Sequence, residues 1–287
     1  MKKKMKAIDE NITAVVVLNY LNYWDTIECV DSLKLLTDDI HGIVIVDNGS
    51  TNESVKALRD YYTGNGLVNI LSLKKNVGFA RGNNAGIEYA RRKWYAGFIL
   101  VLNNDTKILD KDYISKLKNV YDEKTAVIGS SIMLKNGSIQ TEYRDTFELD
   151  QFFLQYLNLF GMLHGSGFDF LVDTRNEKKF LHGCAILFTP VFFRYYRGFY
   201  PHTFLYYEEK ILYLMCMYKG MIQKYVSETV IYHKEDCSSE ISFHNDTRIV
   251  NKFAFRSQKY VLLWIMKCKI MKKYNDSIKK WKDFYKL

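Results

Sequence analysis

The chain has 287 residues, 48% of them apolar and 25% charged, with a formal net charge of +9. That supplies a core for one large domain, or one domain with a C-terminal extension, and argues against a disordered or collagen-like chain. Its five cysteines, at 29, 184, 216, 237 and 268, are odd in number, widely spaced and without a Cys-x-x-Cys pair, which argues against a disulfide framework or zinc ribbon and fits a reducing cytoplasm.

The basic start, Met1 to Lys6, meets Asn11 with no apolar run of signal-peptide length, so it is expected to be a solvated tail. The β-branched run Thr13 to Leu18 predicts a first strand, and Trp24, Ile27, Val30 and Leu33, recurring every three residues, predict a helix after it. A strand over Gly42 to Val46 follows. Ser50 or Thr51 is expected to cap a helix reaching about Tyr62, with Glu53 in its first turn where the dipole favours an acid. Val68 to Leu73 predicts a third strand, Ala80 to Lys93 a helix and Gly97 to Leu102 a fourth strand. Strands alternating with helices on short loops predict an α/β fold, with a mostly parallel central sheet flanked by helices.

Beyond Asp105 the alternation loosens. A helix is expected over Asp112 to Tyr121, a strand over Ala126 to Met133 that turns at Asn136-Gly137, and a strand over Phe180 to Phe188. A helix over Glu208 to Tyr218 and an edge or return strand over Lys224 to Tyr232 complete the domain, while Phe147 to Phe170 is too apolar to assign. We expect a domain over 1–250, with a nucleotide-binding half at about 12–106 and an acceptor half at about 107–250, and a helical extension over 251–287.

That extension holds eleven Lys or Arg against two acids, which accounts for the whole charge excess. Within it Tyr260 to Met266 is apolar, and Trp281, Phe284 and Tyr285 stand among lysines. The mixture suits an amphipathic helix lying on an anionic membrane face, or one packing its stripe on the core, and the run is far shorter than the ~20 residues of a membrane span. The same aromatic residues could form a homodimer surface. Nucleic acid is not expected as a partner, since only the basic tail points to it.

Two strands ending in acids, at Asp47 and at Asn103-Asn104-Asp105, put two carboxylates on one edge of one sheet, where open α/β sheets bind ligands. Asn76 to Asn84 is a glycine-containing loop opening a helix, with free N–H groups for an anion and Arg81 as a fixed charge. Tyr206-Tyr207-Glu208-Glu209 opens another helix, and His233 ends a strand. Each has an ordinary alternative: a polar turn, a surface arginine, acids favoured by a helix dipole, a hydrogen-bonded strand-end histidine.

Taken together, Val15 to Tyr20, Val44 to Ser50, Asn76 to Asn84, Leu102 to Thr106, Tyr207 to Glu209 and Val230 to His233 resemble, in order, the motifs of the inverting glycosyltransferases of family 2. Within that family the chain looks most like bacterial rhamnosyltransferase-like enzymes of lipopolysaccharide and capsule synthesis. The resemblance implies the GT-A nucleotide-diphospho-sugar transferase fold. It further implies a UDP- or dTDP-sugar donor, with Asp47 accepting from the pyrimidine N–H, Tyr20 stacking on the base, and Asn19, Asn76, Gly78, Arg81, Asn103 and Asn104 lining the donor site. Asn103 stands where the family often has the first acid of Asp-x-Asp, leaving Asp105 and His233 for Mn²⁺ or Mg²⁺. Glu209 is the expected base, with Glu208 as the alternative, because the family's usual Glu-Asp is Glu-Glu here. The implied acceptor is an oligosaccharide or polyprenyl-linked saccharide at the inner face of the cell membrane.

Three rivals remain. A nucleotidyltransferase wants a glycine-rich basic loop after the first strand, and a Rossmann dehydrogenase wants Gly-x-Gly-x-x-Gly there; Asn19 to Asp25 has neither. A catalytically degenerate nucleotide-sugar-binding module is the third.

Overall fold

A computed structural model describes residues 8–140, 181–234 and 247–285. Among the described residues nine strands form one sheet. They are β1 (Asp9–Asn19), β2 (Gly42–Asp47), β3 (Val68–Ser72), β4 (Ala96–Asn103), β5 (Thr106–Ile108), β6 (Thr125–Leu134), β7 (Ile139–Gln140), β8 (Ala185–Phe188) and β9 (Ile222–His233). The spatial order is β3-β2-β1-β4-β8-β6-β9-β5, with β7 paired to β6. The first four strands pair in parallel, as their alternation with helices requires. β8 then enters antiparallel between β4 and β6, and β9 runs parallel to β6.

Helices cover both faces: α1 (Tyr23–Ser32), α2 (Ser54–Tyr61), α3 (Phe79–Lys93), α4 (Tyr113–Asn119), α5 (Pro190–Phe193), α6 (Glu208–Tyr218) and α7 (Thr247–Tyr285). Two apolar layers result, because side chains alternate along each strand. Val15, Val17, Ile43 and Ile45 face α1 and α4, whereas Val16, Val44, Val46 and Ile99 face α3, α6 and α7.

α3 lies close on the sheet because Gly82 and Gly86 share one face. A Cβ on Gly86 would stand 2.4 Å from Val16 Cγ1, and one on Gly82 2.6 Å from Leu18 Cδ1. The close approach sets the N-terminal turn of α3 beside the ends of β1 and β2.

Several expectations shift. Neither Ser50 nor Thr51 caps α2, which begins at Ser54 after Glu53. Ser50 Oγ instead accepts from Leu21 N at 2.8 Å, and Asn52 Oδ1 accepts from Ser54 N at 3.2 Å, so the polar run ties two loops together before the helix starts. The strand expected from Phe180 begins at Ala185, after a turn. The strand expected as an edge or return strand, β9, is not an edge: it is paired on both sides, by β6 and by β5. The Asn136-Gly137 turn joins β6 to β7 as expected, with Gly137 at φ +78°. Phe147 to Phe170 lies outside the described residues.

The apolar run at the start of the extension is mostly core. Val261, Leu262, Trp264 and Ile265 are buried, Trp264 rests edge-on against Tyr196, Tyr200 and Tyr218, and Ser257 donates to Leu205 O at 3.0 Å. Among the described side chains of α7, Ile249, Phe255, Leu263 and Met266 remain exposed. Among the described residues no helix is long and apolar enough to cross a membrane.

Candidate active site

The site forms where β1, β2 and β4 end. Parallel register sets Asn19 opposite Asp47 and Leu18 opposite Asn103. Asn19 Nδ2 donates to Asp47 Oδ2 at 2.7 Å, and Ser50 N donates to Asp47 Oδ1 at 3.0 Å. Thr26 Oγ1 donates to Asn19 Oδ1 at 2.8 Å, while Asn104 Nδ2 donates to Thr26 Oγ1 and to Asn22 O. Asp47 and Asn19 are fully enclosed. In this conformation, therefore, Asp47 locks the strand ends. Tyr20 is half-buried just outside this lock, followed by Leu21 at φ +62°.

The loop before α3 is organised by a residue the motif reading passed over. Asn48, buried, donates to Asn76 Oδ1 at 3.1 Å and accepts from Val77 N at 3.1 Å. Gly78 precedes the helix at φ +87°, a conformation glycine adopts at little cost, and a Cβ there would meet Phe204 O at 2.4 Å. Phe79 N donates to that same carbonyl at 2.8 Å. Asn84 makes two bonds of 2.8 Å to the backbone of Phe199, and Arg81 Nε donates to Pro201 O at 2.7 Å. The loop from 199 to 207 is thus pinned onto α3, in part through the Nε of Arg81.

That loop delivers the acids. Tyr206 and Tyr207 both hold left-handed backbone, at φ +71° and +70°, immediately before Glu208. Two successive bulky residues there store strain of ~1–3 kcal/mol each. Glu208 is buried and its Oε1 has no hydrogen-bond partner. Burial, with Glu209 beside it, pushes Glu208 up to about 8, and burial raises Glu209 as well. The Glu209 carboxylate lies against Gly183, where a Cβ would stand 2.3 Å from Oε1. The nearby backbone of Gly183 works against the rise.

His182-Gly183-Cys184 forms the corner that leads into β8. Asn103 N donates to Cys184 O at 2.8 Å, so the corner sits against the end of β4. From the other side β9 sets His233 opposite Thr106, and Lys234 N donates to Asp105 O at 3.0 Å. His233 Nε2 is 3.3 Å from Asp105 Oδ1, both side chains being nearly enclosed. The His182 and His233 rings meet edge-on at 5.4 Å. Burial and the neighbouring His233 push His182 down to about 4, so its ring is neutral at pH 7.

Asp105 and His233 fit a divalent cation. Asp105 Oδ1 is buried without a hydrogen-bond partner, an arrangement that costs free energy unless something else binds there. The 3.3 Å between Asp105 Oδ1 and His233 Nε2 is close to the ~3 Å expected of adjacent ligands on an octahedral ion with bonds of ~2.1 Å.

Of the residues expected from sequence, Asp105, His233 and Glu209 therefore converge around the 182–184 corner. Asn19, Asp47 and Asn104 form the lock beneath them, and Asn76, Gly78 and Arg81 shape the adjoining loop. Thr26 and Gly183 lie outside the motifs, and Asn48 and Asn84 lie within them without an assigned role; their signal is in pairings across distant segments.

The family model described as "Glycosyl transferase family 2" matches residues 14–188. Among curated proteins no sequence relative matches. Solved structures do. GalNAc-T7 with UDP, GalNAc and Mn²⁺ is 16% identical at a TM-score of 0.55, over 79% of this chain and 44% of that one. The mannosyltransferase PcManGT of Pyrobaculum calidifontis, in complex with GDP-Man and Mn²⁺, is 14% identical at 0.56, over 93% and 77%. S. aureus TarS 1-349 is 14% identical at 0.51, over 89% and 70%. The chain thus spans less than half the length of GalNAc-T7. What these likenesses establish is the architecture, the GT-A fold.

Proposed function

The chain belongs to glycosyl transferase family 2, and from that premise we propose that it moves a sugar from a UDP- or dTDP-sugar to a hydroxyl of a growing, lipid-linked surface polysaccharide, with inversion at the anomeric carbon. The observation that carries this reading is the convergence of Asp105, His233 and Glu209 around one corner at the edge of the sheet. The structural neighbours bind donors of this class, UDP-GlcNAc in the case of TarS and GDP-Man in the case of PcManGT. The choice of a uridine or thymidine donor rests on Asp47, and the rhamnosyltransferase-like, lipopolysaccharide or capsule context rests on the motifs.

Glu209 takes the proton of the acceptor hydroxyl. The acceptor oxygen then attacks the anomeric carbon from the face opposite the leaving group, the bond to the diphosphate oxygen breaks, and the nucleoside diphosphate departs with that electron pair. A carboxylate whose affinity for protons is raised by burial is a stronger base for this step. Asp105 and His233 would hold Mn²⁺ or Mg²⁺, which supplies charge neutralisation to a diphosphate. Arg81 and the N–H groups opening α3 add positive potential beside it. Glu208, turned toward Thr203, shapes the reach of Glu209. Tyr20 and the Asn19–Asp47 lock form the floor of the base pocket, and the exposed face and lysines of α7 hold the protein at the inner membrane face.

Glu209→Gln tests the role of the base. Turnover, read as nucleoside diphosphate release in the presence of acceptor, should fall ~10²- to 10⁴-fold, the usual worth of a positioned base, while donor affinity stays within about twofold. A variant that turns over normally would remove Glu209 from this role.

A further inference from the structure

The 182–184 corner carries two side chains that the transfer reaction leaves without a task. Among the described residues, His182, Cys184 and His233 each offer one ligand atom, and these atoms all lie within 4.8 Å of one another. We propose that they form a second metal site, one that takes Zn²⁺ and competes with the catalytic cation for His233, so that zinc switches the transferase off. The regulatory half rests on the glycosyltransferase reading; the metal site does not.

The ligand chemistry favours this assignment. Two imidazoles and a thiolate are the set that prefers Zn²⁺ over Mg²⁺ or Mn²⁺, whereas Asp105 with His233 alone is a harder pair. Tetrahedral zinc, with bonds of ~2.0 Å to nitrogen and ~2.3 Å to sulfur, needs ligand atoms ~3.3–3.6 Å apart. Closing from 4.8 Å takes about an ångström, and because His182 Nδ1 accepts from Cys184 N at 3.1 Å, its Nε2 is the atom left for the ion. His182 is half-buried just before the turn at 183–184, while Cys184 is fixed through its carbonyl to Asn103 N and is fully buried. A neutral imidazole offers a single lone pair, so His233 can serve either ion but not both. His182 adjoins Gly183, which touches the Glu209 carboxylate.

The experiment titrates Co²⁺, as a coloured stand-in for Zn²⁺, into the full chain in manganese-free buffer. We expect the intense visible bands of tetrahedral cobalt and a near-ultraviolet thiolate-to-cobalt charge-transfer band, erased by one equivalent of Zn²⁺ and persisting in excess Mg²⁺. Cys184→Ser should abolish the charge-transfer band, and His182→Gln should weaken cobalt binding ~100-fold or more, at least the loss seen when a supporting residue of a metal site is removed. His182 is partly exposed, so its variant decides the matter if replacing buried Cys184 unfolds the chain, as circular dichroism would show. Only the faint spectrum of octahedral cobalt, or bands unchanged in both variants, would overturn the site. In parallel, zinc should suppress manganese-dependent nucleoside diphosphate release in the wild type, and His182→Gln should be less sensitive to it. Bands without zinc inhibition would overturn the switch alone, and bands in a protein that binds no nucleotide would leave the site standing while the transferase reading falls.

Discussion

Glu208 holds the most costly position in the site: a buried acid beside a second acid, one oxygen unpartnered. Its folded-state pKa of about 8 lies above the ordinary 4.5. Between those values the unfolded chain has released the proton and the folded chain has kept it, so stability falls as pH rises, by at most ~1.4 kcal/mol per pH unit. Glu208→Gln cannot ionise. It should therefore gain stability over the wild type by ~2–4 kcal/mol more at pH 9 than at pH 5, measured by urea unfolding; an equal difference at both would mean Glu208 is not buried as an acid. The acidic pair was legible in the sequence because it opens a helix beside tyrosines. Which acid faces the corner was not, since that depends on Gly183, 26 residues away and brought in by β8. Asp47 was legible as a strand-end acid, but its enclosure by Asn19 and Ser50 appears only with the register of β1 on β2.

The parallel half of the sheet could be read from sequence because each strand is a continuous apolar run with a helix after it. The second half resists such reading because β8 has four residues and β5 three, too few for a period to show. Tyr260 to Met266 left two readings open for a different reason: an apolar stripe looks the same whether it faces lipid or protein, and here Tyr196, Tyr200 and Tyr218 receive Trp264. α3 provides a direct check on how the site is positioned. Gly86→Val would force its side chain into Val16 and Val46, costing ~1–3 kcal/mol or more by overpacking; an unchanged melting temperature would mean α3 does not depend on that close approach. The exposed face of α7, with Phe255, Leu263 and Met266 beside Lys252, Arg256, Lys259 and Lys267, is where membrane contact is expected. Flotation with anionic vesicles should recover the wild type, less of it at high salt. Replacing the three apolar residues by serine should abolish recovery, and loss of recovery with neither substitution nor salt would refute contact through this face.

Across the whole molecule, charge and chemistry are separated. The excess of +9 resides after residue 250, whereas the acids, histidines and cysteine of the site lie at one edge of a sheet built from residues before 234. The arrangement suits an enzyme whose small anionic donor enters at the sheet edge while a basic helix holds it near a larger acceptor. The acceptor, the sugar and the membrane contact all depend on the donor site. The most direct measurement is isothermal titration of UDP and dTDP, each with and without Mn²⁺, into the wild type and into Asp105→Ala and Asp47→Ala. Binding that requires Mn²⁺ in the wild type and is lost in both variants is the predicted result. Absence of binding to the wild type under every condition would contradict an active nucleotide-sugar transferase and leave a degenerate module of the same fold.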